Sequence, residues 1–234
     1  MMKKPLVAAM SLLVVSWLAI RPASAASSAE LTLSGRIIPS VCSVAVSNNG
    51  VFSVGNVTAS DLNEHGMTSF LHEGTRGAAI ATPKTTTITC SGDTVLALRI
   101  QDNRSGTASK ESPPPQNRVS ILNDHNFGLG LSSNGNSIGY VSFFLDETPP
   151  VLDSKDTKFL VSQNNGRSWQ SPNWPRAFES HSDFLVSWGD RNPEAGRIIS
   201  FPIFAIVSIT DKSNLPLDKA VDIDGSVTIE LIYL

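Results

Sequence analysis

Gly225-Ser226-Val227-Thr228-Ile229-Glu230-Leu231-Ile232-Tyr233-Leu234 is the stretch that decides the fold. Val227, Ile229, Leu231 and Tyr233 alternate with Ser226, Thr228, Glu230 and Ile232. That is a period-two strand with one strongly apolar face. Val221, Ile223 and Gly225 continue the alternating set, so the strand is expected to begin at Val221. The sequence ends on it, with no turn and no return strand. Such a strand is expected either to lie centrally or to leave an apolar edge open, and open apolar edges invite pairing with another chain.

Working back from the end, Arg197 to Thr210 places Ile199, Phe201, Ile203, Ala205, Val207 and Ile209 on one face. This predicts a deep core strand, with Pro202 on the opposite face marking a bulge or an edge. Further strands are expected at 51–57, 85–90, 95–101, 127–131, 138–145, 158–161 and 182–188. Asn164-Asn165-Gly166 reads as a hairpin turn. The stretch 58–83 reads as loop with a short helix after Ser60, and 102–118, with Pro113-Pro114-Pro115, as the most loop-like segment. No helical period of useful length appears. Many short strands with regular turn signals predict an all-β sandwich or barrel.

At the other end, Lys3 and Lys4 precede an apolar run from Leu6 to Ile20, followed by Pro22 and Ala23-Ser24-Ala25. This is the pattern of a secretory signal at 1–25, with cleavage after Ala25. No later stretch is apolar and long enough to span a bilayer. Removing Lys3, Lys4 and Arg21 from 18 basic residues leaves 15 against 21 acidic, a net charge of −6. An acidic chain of this kind is a poor partner for nucleic acid. Cys42 and Cys90 are the only cysteines, and export makes a disulfide between them the expected state. A metal pair is the weaker alternative, because neither has a second cysteine nearby and the histidines are scattered.

Four features together resemble a chaperone–usher fimbrial subunit, and more closely the fimbrial branch known mainly as a domain of unknown function (DUF1120). They are Leu31-Thr-Leu-Ser-Gly-Arg-Ile-Ile-Pro-Ser-Val-Cys42, Gly50 to Leu62 with Phe52 and Gly55, Thr85 to Cys90 followed by Asp102-Asn103-Arg104, and the terminal Ile229-Glu-Leu-Ile-Tyr-Leu234. The resemblance implies an incomplete immunoglobulin-like β-sandwich lacking its last strand. It implies a donor arm at 26–34 and a pilin-like domain at 35–234. A periplasmic chaperone would fill the gap first, and the arm of another fimbrial subunit would replace it at an outer-membrane usher. This is strand addition, in which main-chain bonds supply affinity and alternate side chains supply specificity. The donor side chains implied are Ala29, Leu31, Leu33 and Gly35. The acceptor edge or chaperone contact implied is Val227, Ile229, Leu231 and Tyr233. The expected location is the periplasm during assembly and then the cell surface, where the fibre supports adhesion.

The competing reading is a fimbrial tip adhesin binding a glycan. Trp169 and Trp174 lie among Asn164, Asn165, Asn173 and Arg176, a composition that could stack on a sugar. Against it, Cys42 comes too early for a separate lectin domain to precede it. Nucleophile, metalloprotease and phosphate-loop motifs are absent from the sequence, so neither catalysis nor a cofactor is expected. A triad of Asp102, a serine and His125 or His181 has no motif behind it.

Overall fold

The computed structural model describes residues 41–71, 75–76, 83–111, 123–174 and 176–234. The expected signal at 1–25 and the expected donor arm at 26–34, with Ala29, Leu31, Leu33 and Gly35, lie outside the described residues. In chain order the strands are β1 (Cys42–Val46), β2 (Thr68–Leu71), β3 (Thr75–Arg76), β4 (Lys84–Thr94), β5 (Leu96–Asp102), β6 (Phe127–Gly128), β7 (Gly139–Leu145), β8 (Val151–Leu152), β9 (Lys155–Asp156), β10 (Phe159–Ser162), β11 (Arg176–Ala177), β12 (Leu185–Trp188), β13 (Gly196–Ile209) and β14 (Val227–Tyr233). Helix among the described residues is confined to short 3₁₀ turns, such as Ala59–Asp61, whose start is capped by Thr58 and Asp61.

Two antiparallel sheets result. β13 is the spine of the larger one: β4 and β2 flank one side in succession, β8 and β7 the other. β1 pairs with β4 at the margin of this sheet. The smaller sheet runs β10-β12-β5-β14. The sheets face each other across one apolar core, in which Ile88, Phe201 and Ile203 of the larger meet Leu98, Val161 and Trp188 of the smaller. Burial of large aliphatic and aromatic side chains, at about 1.5–3 kcal/mol each, holds such a sandwich together.

The alternating pattern of Arg197 to Thr210 is realised in β13, whose Ile199, Phe201, Ile203, Ala205, Val207 and Ile209 are all buried. Pro202 sits at neither an edge nor a bulge. Its carbonyl accepts from Asp146 N–H at 3.2 Å, so its missing donor points to the side where pairing passes from β8 to β7. The bond it forgoes is the return bond to the Asp146 carbonyl, just beyond the end of β7 at Leu145. The bulge falls instead at Gly196/Ile198.

Three other expectations change. Residues 51–57 form no strand; they follow a 3₁₀ turn at Ser47–Gly50 and run extended without a ladder partner. β14 starts at Val227 rather than Val221, because β5 ends at Asp102, the partner of Val227, and before it only single backbone bonds form, such as Asn103 N–H to the Ser226 carbonyl. The 58–83 stretch contains β2, whose Thr68, Ser69 and Phe70 are buried against β13. The Asn164-Asn165-Gly166 turn does reverse the chain, bringing Gln170 into mutual hydrogen bonds with Val161 at 2.8 and 3.0 Å. Gly166 has φ +82°, a left-handed conformation that favours glycine.

Candidate functional site: an apolar groove between two edge strands

Cys42 lies directly opposite Cys90 in the β1–β4 ladder, and the two form a disulfide. The bond fixes β1 as a wall. Ser91 N–H donates to the Val41 carbonyl, so Val41, Ser43 and Ala45 direct their backbone groups toward β4. By the alternation of an antiparallel ladder, Cys42, Val44 and Val46 direct theirs away from it. The side chains of these same three residues are half-buried, and those of Cys42 and Val44 pack on the core.

The mirror arrangement holds in β14. Leu234 N–H donates to the Val95 carbonyl, and Asn103 N–H to that of Ser226. Even-numbered residues therefore bond to β5, and Val227, Ile229, Leu231 and Tyr233 turn their backbone groups to the other side. Val227, Ile229 and Leu231 also pack half-buried on the core. Among the described residues β1 pairs only with β4, and β14 only with β5.

Between the two edges lies a groove of about 1000 Å³. Val44 and Val46 line one wall, Val227 and Ile229 the other, and Phe143 and Val207 belong to the floor. Phe52 and Phe143 meet edge to face, with ring centroids 5.4 Å apart. At one end the walls meet, where Cys42 N–H donates to the Tyr233 hydroxyl at 3.1 Å. At the far end Val51, Leu217 and Ile223 stand exposed at the lining.

The Asp102-Asn103-Arg104 motif anchors the β14 wall. Asp102 accepts N–H bonds from Arg104 and Gly128, at 2.8 and 2.9 Å. Asn103 Nδ2 donates to Ser226 and Thr228, at 3.0 and 3.1 Å. Arg104 donates to the Asp224 carbonyl and carboxylate, at 3.1 and 2.5 Å. Along the strand itself, Arg99 of β5 pairs with the facing Glu230 at 2.6 Å.

Of the residues singled out by sequence, the structure places Val227, Ile229, Leu231 and Tyr233 on one edge strand, where Val227 and Ile229 line the groove, and Cys42 on the facing strand, outside the lining. It does not gather the tryptophans into one platform. Trp169 converges with Leu185 and Leu234 around Gly166, covering the outer face of the smaller sheet. Trp174 packs edge to face on Phe159, which itself abuts Phe201 inside the core. Nor does a triad form: Asp102 is occupied as above, and His181 Nε2 lies 2.5 Å from Glu179.

That glutamate is buried and is also bonded by Arg176 and Gln163. Burial pushes its carboxyl up, but the His181, Arg176 and Gln163 contacts outweigh burial and hold it below the usual carboxylate range. His125 is shifted down, chiefly by burial; the Glu179 charge opposes this, Arg176 adds to it and Asp124 opposes it.

Val44 and Val46 are the wall residues that sequence reading passes over. The Cys42-x-Val44-x-Val46 alternation was the available signal, masked by the attention given to the cysteine. Among the described residues no helix is long and apolar enough to cross a membrane.

Comparison with known proteins adds a family and a relative. A family model described as "Protein of unknown function (DUF1120)" matches residues 31–142, a stretch that holds both cysteines and ends within β7. The chain is also similar to "Protein GltF" of Escherichia coli (strain K12), with 26% identity over 228 residues covering 88% of each chain. No solved structure matches significantly.

Proposed function

We propose that the chain is a structural subunit of a surface fimbria, assembled by strand donation into the groove between β1 and β14. In this reading the two sheets are an immunoglobulin-like sandwich short of one strand. The single observation that carries it is the coincidence along both walls. Val44, Val227, Ile229 and Leu231 each turn an apolar side chain toward the core and backbone polar groups toward the gap. A small apolar ligand would fill the floor and leave those backbone groups to water. An extended peptide satisfies both, because its own N–H and C=O groups repeat with the period of the walls.

Each aliphatic side chain that a strand buries contributes about 1.5–3 kcal/mol, which offsets the entropy lost on association and leaves the main-chain bonds to add to it. A periplasmic chaperone supplies the strand first, and the arm at 26–34 of a neighbouring subunit supplies it at the outer-membrane usher. The chain is then a binding subunit and not an enzyme, and its working location is the periplasm followed by the cell surface.

Co-purification from periplasm tests this reading. A one-to-one complex with an immunoglobulin-like chaperone is expected. A stable monomer that purifies alone and keeps its groove closed to added peptide would overturn it.

A further inference from the structure

We propose that the segment 51–57 is a hinged flap over the groove floor, latched by the Phe52 ring and strained at its root, so that access to the floor is regulated from within the chain. That the flap admits a strand rests on the strand-accepting reading of the groove; that it opens does not.

The segment is tethered at both ends. Ser47 Oγ accepts from Thr85 N–H at 3.0 Å, and Thr58 N–H donates to the Asp61 carboxylate at 2.8 Å. Between these points no ladder forms, and the hold on the molecule is made by side chains. Val54 is buried in the core, and Phe52 and Val57 pack half-buried against it. Phe52 meets Phe143 edge to face at 5.4 Å and lies 5.5 Å from Lys84 Nζ. Phe143 lines the groove yet is only 6% exposed, with Phe52 and the fully buried Phe127 both against its ring. Lifting Phe52 would uncover it.

Backbone strain works against that hold. Asn48, Asn49 and Gly50 are three successive left-handed residues, with φ 54°, 51° and 70°. Asparagine tolerates this conformation singly; two in a row are disfavoured. Such strain persists only where the surrounding structure imposes it, and it gathers at switch regions. One bond closes the turn, from Val51 N–H to the Asn48 carbonyl at 3.1 Å. Gly55, at φ +67° with open space beside it, supplies the second hinge. Swinging outward lets the turn relax and gives up the contacts of Phe52 and Val54. These are opposing terms of similar size, as a two-position element requires.

Thiol alkylation of the mature chain tests this. Val54→Cys places a thiol under the flap, and Val186→Cys places one in β12, fully buried in the core. The first should react roughly tenfold or more faster than the second, and its rate should be insensitive to low urea, the mark of a local opening. Adding Phe52→Ala should raise the Val54→Cys rate about tenfold, the loss of one half-buried aromatic. Adding Asn49→Ala should raise it about fivefold, because alanine tolerates the left-handed conformation less well. Labelling at Val54→Cys that follows Val186→Cys through urea, or that neither substitution accelerates, overturns the flap and leaves the groove reading standing. A labelled peptide of residues 26–38 should associate faster with Phe52→Ala than with the parent chain. Equal or slower association makes Phe52 no latch and overturns the proposal. Labelling as expected, with no peptide association in any variant, overturns the strand-accepting reading and keeps the flap.

Discussion

Cys42 and Cys90 sit opposite each other across β1 and β4 with Cα atoms 4.0 Å apart, so the disulfide ties the groove's outer wall to the sheet that carries the core. Closing a separation of 48 residues contributes about 4 kcal/mol in the chain-entropy account. Cys42→Ser should therefore lower stability by about that amount in denaturant unfolding. It should also loosen β1 selectively, so that the amides of Ser43 and Ala45 exchange faster while those of β12 keep their protection relative to global unfolding.

A charge on the groove wall should block partner binding without unfolding the chain. Ile229 is half-buried at the gap. In Ile229→Glu the carboxylate can stay in water until a strand covers it, and an unpaired buried charge then costs several kcal/mol. Capture of the chaperone or of an arm peptide should fall at least tenfold. Ser43→Glu, at an exposed β1 position, should leave capture unchanged, as read by pull-down from periplasm.

Acid should weaken the fold in two stages. His125 is depressed below its ordinary 6.5, so the unfolded chain binds the proton first, and stability should drop as pH falls below about 6.5. Glu179 is depressed below its ordinary 4.5, so its contribution is present above that value and is lost as pH falls through the lower folded value. Thermal melts across pH should show both limbs. His125→Gln should remove the first, and Glu179→Gln should remove the second while lowering stability at neutral pH.

The tryptophans should act on stability rather than on sugars. Trp169→Ala removes the ring that meets Leu185 and Leu234 near Gly166 and should cost about 2 kcal/mol, less than a full core truncation because Trp169 is only half-buried. Trp174→Ala removes an exposed ring from Phe159 and should cost less. A glycan array with the intact chain should be blank; reproducible sugar binding lost in both variants would favour the adhesin reading.

Much of the fold was legible because period two is a strong signal wherever one face is buried. β13 and the Val227–Tyr233 strand could be read directly, and the cysteine pair followed from the signal-like pattern at the N-terminus. The failures share a cause. Val51–Val57 and Val221–Ser226 alternate like strands, but among the described residues no strand runs beside them, and Asp224 and Ser226 make only single backbone bonds, to Leu129 and Asn103. Both segments line the groove. β2 was hidden because its sequence, Thr-Ser-Phe-Leu, is half polar, and Ser69 is buried through a hydrogen bond to Ser208 at 2.9 Å. Tyr233 was placed on the acceptor wall by its alternation alone. That its hydroxyl reaches across to Cys42 is a tertiary fact that spacing does not carry.

The central claim is that the gap between β1 and β14 accepts a strand. Residue-resolved hydrogen exchange on the mature chain, with and without a peptide of residues 26–38, tests it most directly. The account predicts that the peptide slows exchange of the Val44, Val46, Ile229 and Leu231 amides at least tenfold, and that a peptide carrying Leu31→Asp and Leu33→Asp does not. Unchanged exchange at those four amides under saturating peptide would contradict it.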